Sequence, residues 1–591
     1  MRKVTAMRTR RALGCVLVLL SVALVRPADP GRAAGGESPV AEAARSGDLA
    51  TVRGLIDDRA DVNLPERDGS TALLWATYHA DLEMTRALVA AGAAVDAANR
   101  YGVTPLLQAS RTGDAAVMEV LLEAGADPTL AHPEGETPLM AAARTGRTDA
   151  VRALLTRGAN VNAADAFQLQ TPLMRAAAEG HLDVVDLLLE AGANPDYQAH
   201  VTALEERKHA DHPTGGFTAL MFAARNGHED VARKLIEGGA DPTLTNGDGV
   251  TATAIAIVND RLDLAGTLVD LGADANDGSL YFAVDMHDAT TDMRARDGSR
   301  LRADHPNTLT ALALVERLLD HGADPNKPFV GRLHNTTLCC DSEINASPFF
   351  RAAVAADVEA LKLMIAHGAE IEWSPVEIKK EGQAPGGRGN PNVGRTPAMV
   401  ALNGGRGAAF AAGPGFDRLD APPFREPSNR EPLDAVKVLL AAGADANAKA
   451  PDGTSLLHSA VSARQVAIIR ELAAAGASFE AVNKDNLTPL QLAEKPDPPP
   501  PPGNNTDERT YRRPRDTRED VIAAVRGLMG LGPDDPTPQP PPLPEAAEGE
   551  KDAAAEGEPA DDSSSDEETS DEAASPEDAA QSADVQAEAA Q

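Results

Sequence analysis

The sequence predicts an all-α solenoid of stacked helix-turn-helix units, joined by β-turn or hairpin fingers and interrupted by several loop insertions. Three observations predict it. A triplet that opens on Thr recurs every 33 or 34 residues, a Gly-Ala-Asp or Gly-Ala-Asn triplet keeps step with it, and only 3% of the 591 residues are aromatic. Two markers locked to one period mean one structural unit repeated. So few rings do not suit a single large aromatic-rich core.

The first element is Arg2, Lys3, Arg8, Arg10 and Arg11, then an apolar run from Ala12 to Val25, then Pro27, Pro30 and the small residues Ala33, Ala34 and Gly35. That order reads as a secretory signal over residues 1–34. The run falls short of the roughly 20 apolar residues that cross a bilayer. Export to a periplasm or the medium is therefore expected, with no membrane insertion after cleavage. Cys15 would leave with the signal, and the mature chain would keep Cys339 and Cys340.

The repeat array is expected over 35–495. Its triplets include Thr71-Ala72-Leu73, Thr104-Pro105-Leu106, Thr137-Pro138-Leu139, Thr171-Pro172-Leu173, Thr218-Ala219-Leu220 and Thr251-Ala252-Thr253. They reappear at Ser347-Pro348-Phe349, Thr396-Pro397-Ala398, Thr454-Ser455-Leu456 and Thr488-Pro489-Leu490. Thr caps a helix through its hydroxyl, and Pro at the first helical position loses no hydrogen bond there. Helix one therefore starts at the triplet. Segments such as Ala150 to Leu155 give helix two its apolar spacing, and Gly158 and its equivalents end it by taking the left-handed conformation.

These linked motifs resemble the ankyrin repeat, from about Pro39 to Met529, and the leader suggests similarity to exported bacterial members of that family. The resemblance implies a protein-binding scaffold with a concave face. The His that follows T-P-L in such repeats is here Leu74, Leu107, Met140, Met174, Met221 or Met399. Fewer polar links and more dependence on apolar packing are expected.

Insertions are read at Asp196 to Gly215, Asp285 to Asn307, Pro328 to Ala346, Ser374 to Gly394 and Ala408 to Arg430. A Pro-rich insertion is expected over 496–516, a C-terminal capping helix over 517–532 with Thr517 and Asp520 as its capping pair, and an acidic tail over 533–591. The tail sets nineteen acidic residues against Lys551, too polar a composition to bury a core, so it is expected to be disordered.

A net charge of -35 argues against nucleic acid and anionic membranes as partners. Three cysteines do not make a disulfide scaffold or a Cys-rich metal site. No phosphate-binding loop, G-x-S-x-G or H-E-x-x-H motif occurs. His209 and His212, with Glu205 and Glu206 upstream, and His287, with Asp285, Asp288 and His305, offer metal ligands. Two imidazoles fall short of the three protein ligands a catalytic zinc site needs, so solvated loops and helix-end hydrogen bonds are the favoured reading of them. Cys339 and Cys340 read either as an adjacent disulfide or as two thiols under an insertion.

Binding is the better-supported chemistry. In an ankyrin-like stack the residues before each triplet and at the end of helix one line the concave surface. Here they include Arg67, Tyr78, His79, Arg100, Tyr101, Arg111, Arg144, Phe167, Phe217 and Arg225. Arg and aromatic side chains dominate binding hot spots, and Arg111, Arg144 and Arg225 share one helix-one position. The function expected is an exported, non-enzymatic, monomeric scaffold that binds a protein partner without cofactor or metal. The alternatives are a metal-dependent or enzymatic site in the His- and Cys-containing insertions, and a host-directed secreted effector.

Overall fold

The computed structural model describes residues 38–201, 215–287, 307–331, 344–376, 392–402, 430–496 and 516–540. Among them twelve helix pairs follow one another along the chain. Repeat 1 pairs Pro39–Arg45 with Leu49–Asp57, repeat 2 Ala72–Tyr78 with Leu82–Ala90, and repeat 3 Pro105–Thr112 with Ala115–Glu123. Repeat 4 pairs Pro138–Thr145 with Thr148–Thr156, repeat 5 Pro172–Glu179 with Leu182–Glu190, and repeat 6 Ala219–Asn226 with Glu229–Glu237. Repeat 7 is Ala252–Val258 with Leu262–Asp270, repeat 8 Ser279–His287 with Ala311–Asp320, and repeat 9 Pro348–Ala355 with Val358–Ala366. Repeat 10 is Pro397–Ala401 with Pro432–Ala441, repeat 11 Leu456–Ala463 with Val466–Ala474, and repeat 12 Pro489–Glu494 with Arg518–Leu528.

The Thr residues cap as their chemistry requires. The hydroxyls of Thr71, Thr104, Thr137, Thr171, Thr218 and Thr251 each accept the amide of the residue three positions on. Each first helix packs on the first helices of both neighbours and on its own second helix. Small residues permit that approach: Ala142, Ala143, Ala176, Ala177, Ala223 and Ala224 have no exposed surface. Several first helices end on a left-handed glycine, and the reason is visible at Gly146 (φ +74), where a Cβ would lie 2.6 Å from the His181 ring of the next repeat.

One register differs from the sequence reading. Ser455, not Thr454, caps the first helix of repeat 11, which puts His458 in the position after the triplet. Its Nδ1 meets the Ser455 hydroxyl at 2.7 Å and its Nε2 meets the Leu487 carbonyl of repeat 12 at 2.9 Å. Elsewhere polar links between repeats come from other positions. Asn63, Asn162, Asn276, Asn326 and Asn447 each donate to a carbonyl of the following repeat, at Gly92, Gly192, Gly322, Gly368 and Gly476, over 3.0–3.1 Å. The same side chains accept the amides of Ala94, Asn194, Asp324, Glu370 and Ser478 at 2.7–2.8 Å.

The insertion read at Pro328 to Ala346 carries an antiparallel pair, Phe329–Gly331 against Ile344–Ala346. Trp373, just before the insertion read at Ser374, packs 5.6 Å from Phe350. The last second helix starts with a reciprocal capping box between Thr517 and Asp520. Arg526 fixes this helix to Glu494 at 2.7 Å.

Candidate protein-binding face

Between one second helix and the next first helix the chain makes a finger in repeats 2 to 7, 11 and 12. Each finger closes on itself, as where the Glu66 amide donates to Ser70 and the Asn99 amide to Val103. Successive fingers are also joined tip to tip by backbone hydrogen bonds. Arg100 donates to Asp68 at 2.8 Å, Ala166 to Glu134 at 2.9 Å, His200 to Gln168 at 2.7 Å and Lys484 to Asp452 at 3.1 Å. Pro133 takes the donor position in repeat 4 and has no N–H to give. Its ring fills the space beside Gly102, where a Cβ would lie 2.2 Å from the Pro133 Cδ.

On this ribbon Arg67 and Arg100 are exposed at the same finger position of repeats 2 and 3. Tyr101 and Phe167 project at 66% and 71% exposure, and Tyr78 at the end of a first helix is 56% exposed. Tyr78 stands edge-on to Trp75 at 5.6 Å and to His79 at 5.3 Å. Trp75 is held by Glu66 at 3.1 Å, and the His79 Nε2 by the Arg45 carbonyl at 2.9 Å. His79 thus links two repeats and is itself exposed.

The arginines predicted as one stripe share a helix position but not a neighbourhood. Arg111 makes two hydrogen bonds to Glu136 on the next finger, at 3.1 and 2.5 Å. Glu136 also lies 4.0 Å from Arg175, which bonds Asp165 at 3.1 Å. Arg144 is exposed and has no ion pair among the described residues. Arg225 lies over Phe217 and Phe222, 5.6 and 5.1 Å from their ring centroids, and partial burial lowers its pKa. Phe217 is half-buried beneath it. Along the array this helix position reads Arg45, Tyr78, Arg111, Arg144, Ala178 and Arg225, then Val258, Asp285 and Val354. Over these nine repeats its cations belong to the first six.

A second cluster lies in repeats 8 to 10. The His287 Nδ1 is 2.6 Å from an Asp357 oxygen, and Arg430 reaches the same oxygen at 2.9 Å and the His287 carbonyl at 2.5 Å. Beside them Arg351 pairs with Asp285 at 2.6 Å. His287 and Asp285 therefore face separate ionic partners and do not converge as a ligand pair. Among the described residues no three His, Cys, Asp or Glu side chains form a metal-holding group. His209, His212, Glu205, Glu206, Asp288, His305, Cys339 and Cys340 lie outside the described residues, as do the leader and 541–591. No described helix is long and apolar enough to cross a membrane.

A stack of helix pairs with a ribbon of joined fingers and exposed Arg and aromatic side chains defines a helical-repeat interaction scaffold. The chain belongs to the ankyrin repeat family: the model of ankyrin repeats in three copies matches residues 40–132, 127–199, 201–279 and 428–496, more than half of the chain. Among solved structures, the human ASB11 ankyrin repeat domain is 30% identical, with 37% of this chain and 92% of that chain covered and a TM-score of 0.32. The ankyrin repeat domain of Bcl-3, described as a unique member of the IkappaB family, is 28% identical, with 37% and 94% covered and a TM-score of 0.32. A search of curated proteins finds no match. Ankyrin-repeat proteins are typically non-enzymatic interaction modules, and the repeats of this chain indicate a protein–protein interaction scaffold.

Proposed function

We propose that this protein is an exported bacterial scaffold whose concave face, over repeats 2 to 6, binds an acidic or amphipathic patch of a partner protein. The observation that carries the reading is the grouping of Arg67, Arg100, Tyr101, Arg144 and Phe167. All are exposed, and the three arginines lack an ion pair among the described residues. Rigid aromatic anchors beside unpaired guanidinium groups are what hot spots are made of. A preformed stack also spares the ordering cost that weakens flexible binders. Arg111 and Arg225 enter as supports, because one is held by Glu136 and the other covers two phenyl rings.

The test is affinity capture from the exported fraction with the mature chain, beside a variant carrying Arg100→Glu, Tyr101→Ala, Arg144→Glu and Phe167→Ala. A partner held by the first and lost by the second, with unchanged thermal stability, supports the reading. A partner held equally by both overturns it. Amino-terminal sequencing of the exported chain tests the leader, and a start near residue 35 is expected.

A further inference from the structure

Repeat 8 is built without a finger. From Gly239 the next helix begins thirteen residues on, at Ala252, whereas from Gly272 it begins seven on, at Ser279. The row therefore lacks one member between the finger of repeat 7 and the hairpin that precedes repeat 9. Phe329, the first residue of that hairpin, drops into the space and packs 4.7 Å from Phe282 and 5.9 Å from Tyr281. A Cβ on Gly278 (φ +99) would lie 2.5 Å from the Phe329 ring.

Phe329 leaves part of the space open. Among the described residues a cleft of about 270 Å³ remains, lined among others by Gly249, Asn276, Asp277, Asp324, Lys327 and Phe329. That is below the roughly 300–1,000 Å³ of small-molecule sites, and it suits one side chain or the tip of a turn. Its chemistry is acidic. Lys327 is the cation of the lining, and its ammonium already donates to the Asn276 carbonyl at 2.7 Å. Asp277 accepts the Thr251 hydroxyl and the Ser279 amide. Even so, burial foremost, with the charge of Asp274 adding to it, holds its carboxyl above the usual range. A carboxylate in that state gains from a cation brought beside it.

We propose that this cleft docks a basic turn of a partner protein, a short loop that takes the vacant finger place and sets a lysine or arginine against Asp277 and Asp324. The proposal rests on the array being a protein-binding scaffold. It does not rest on the Arg and aromatic face, which lies in earlier repeats and carries the opposite charge.

The probe is a cyclic peptide of residues 245–250 bearing Asp248→Arg, titrated against the full chain at low salt. Saturable binding is expected, weaker by about tenfold or more when Asp324→Lys or Asp277→Asn is introduced and when the peptide keeps its aspartate. A chain with residues 243–248 copied between Asn276 and Asp277 fills the row and should lose binding. Should that chain not fold, the point variants decide alone. Tyr101→Ala with Phe167→Ala should leave the peptide bound, which separates failure here from failure of the first face. Absent saturation, equal binding of both peptides, indifference to both point variants, or loss on the Tyr101 and Phe167 changes would each overturn the proposal.

Discussion

The His287 Nδ1 lies 2.6 Å from the Oδ2 of Asp357, 70 residues away in sequence and one repeat away in the stack. Asp357 is 1% exposed, caps its own helix through the Ala360 amide and receives Arg430 from the approach to the second helix of repeat 10. One carboxylate thereby ties three successive repeats. Removing it leaves buried cationic and polar groups uncompensated, and Asp357→Ala is expected to cost about 3 kcal/mol or more. Asp357→Asn, which still accepts hydrogen bonds, should cost less. The measurement is the urea midpoint of the transition that includes repeats 8 to 10.

Arg111 and Arg144 occupy the same helix position, yet they are expected to respond differently to charge reversal. Arg111→Glu faces Glu136 and should lower stability by about 1 kcal/mol, with recovery when Glu136→Arg is added. Arg144→Glu has no ionic partner to lose and should stay within about 0.5 kcal/mol of the wild type. Thermal unfolding of the four chains checks both statements, and an equal loss for the two arginines would contradict them.

The asparagine links carry a graded prediction. Asn162→Ala removes two hydrogen bonds to repeat 5, at Gly192 and Asn194, and should cost about 1–2 kcal/mol. Asn162→Asp keeps the acceptor for the Asn194 amide and loses the donor, so an intermediate cost is expected. Hydrogen exchange at the Asn194 amide should accelerate for the alanine variant and much less for the aspartate one.

His458 makes the end of the array sensitive to acid. Burial, the foremost cause, depresses its pKa below the ordinary 6.5. The unfolded chain then binds a proton first as pH falls, and the stability held at neutral pH is lost from about 6.5 down through the folded value. The difference in melting temperature between wild type and His458→Leu should therefore shrink from pH 7 to pH 5. A constant difference would show that the imidazole takes up its proton at the same pH in the folded and the unfolded chain.

Much of the fold was legible because capping is local chemistry. A Thr or Ser three residues ahead of an amide fixes where a helix starts, whatever surrounds it. The misplaced cap at Thr454 arose because Ser455 offers the same hydroxyl one residue later, and only its bond to the His458 amide decides between them. Repeat 8 has no triplet because its finger is missing, yet the insertion read from Asp285 to Asn307 falls between its two helices, so the repeat was legible and its missing finger was not. The site was partly legible: exposure of Tyr101 and Phe167 follows from finger position. The fate of Arg111 depends on Glu136, 25 residues on and across a repeat. Arg430 meets His287 over 143 residues, a distance at which periodicity carries no information.

The two tryptophans of this chain stand in different parts of the stack, Trp75 beside Glu66 in repeat 2 and Trp373 against Phe350 ahead of repeat 10. Their fluorescence therefore reports on separate stretches. With Trp75→Phe, emission follows the later repeats alone, and with Trp373→Phe the early ones. Melting curves recorded in the two colours of that experiment would tell whether the array lets go as one body or unzips from an end.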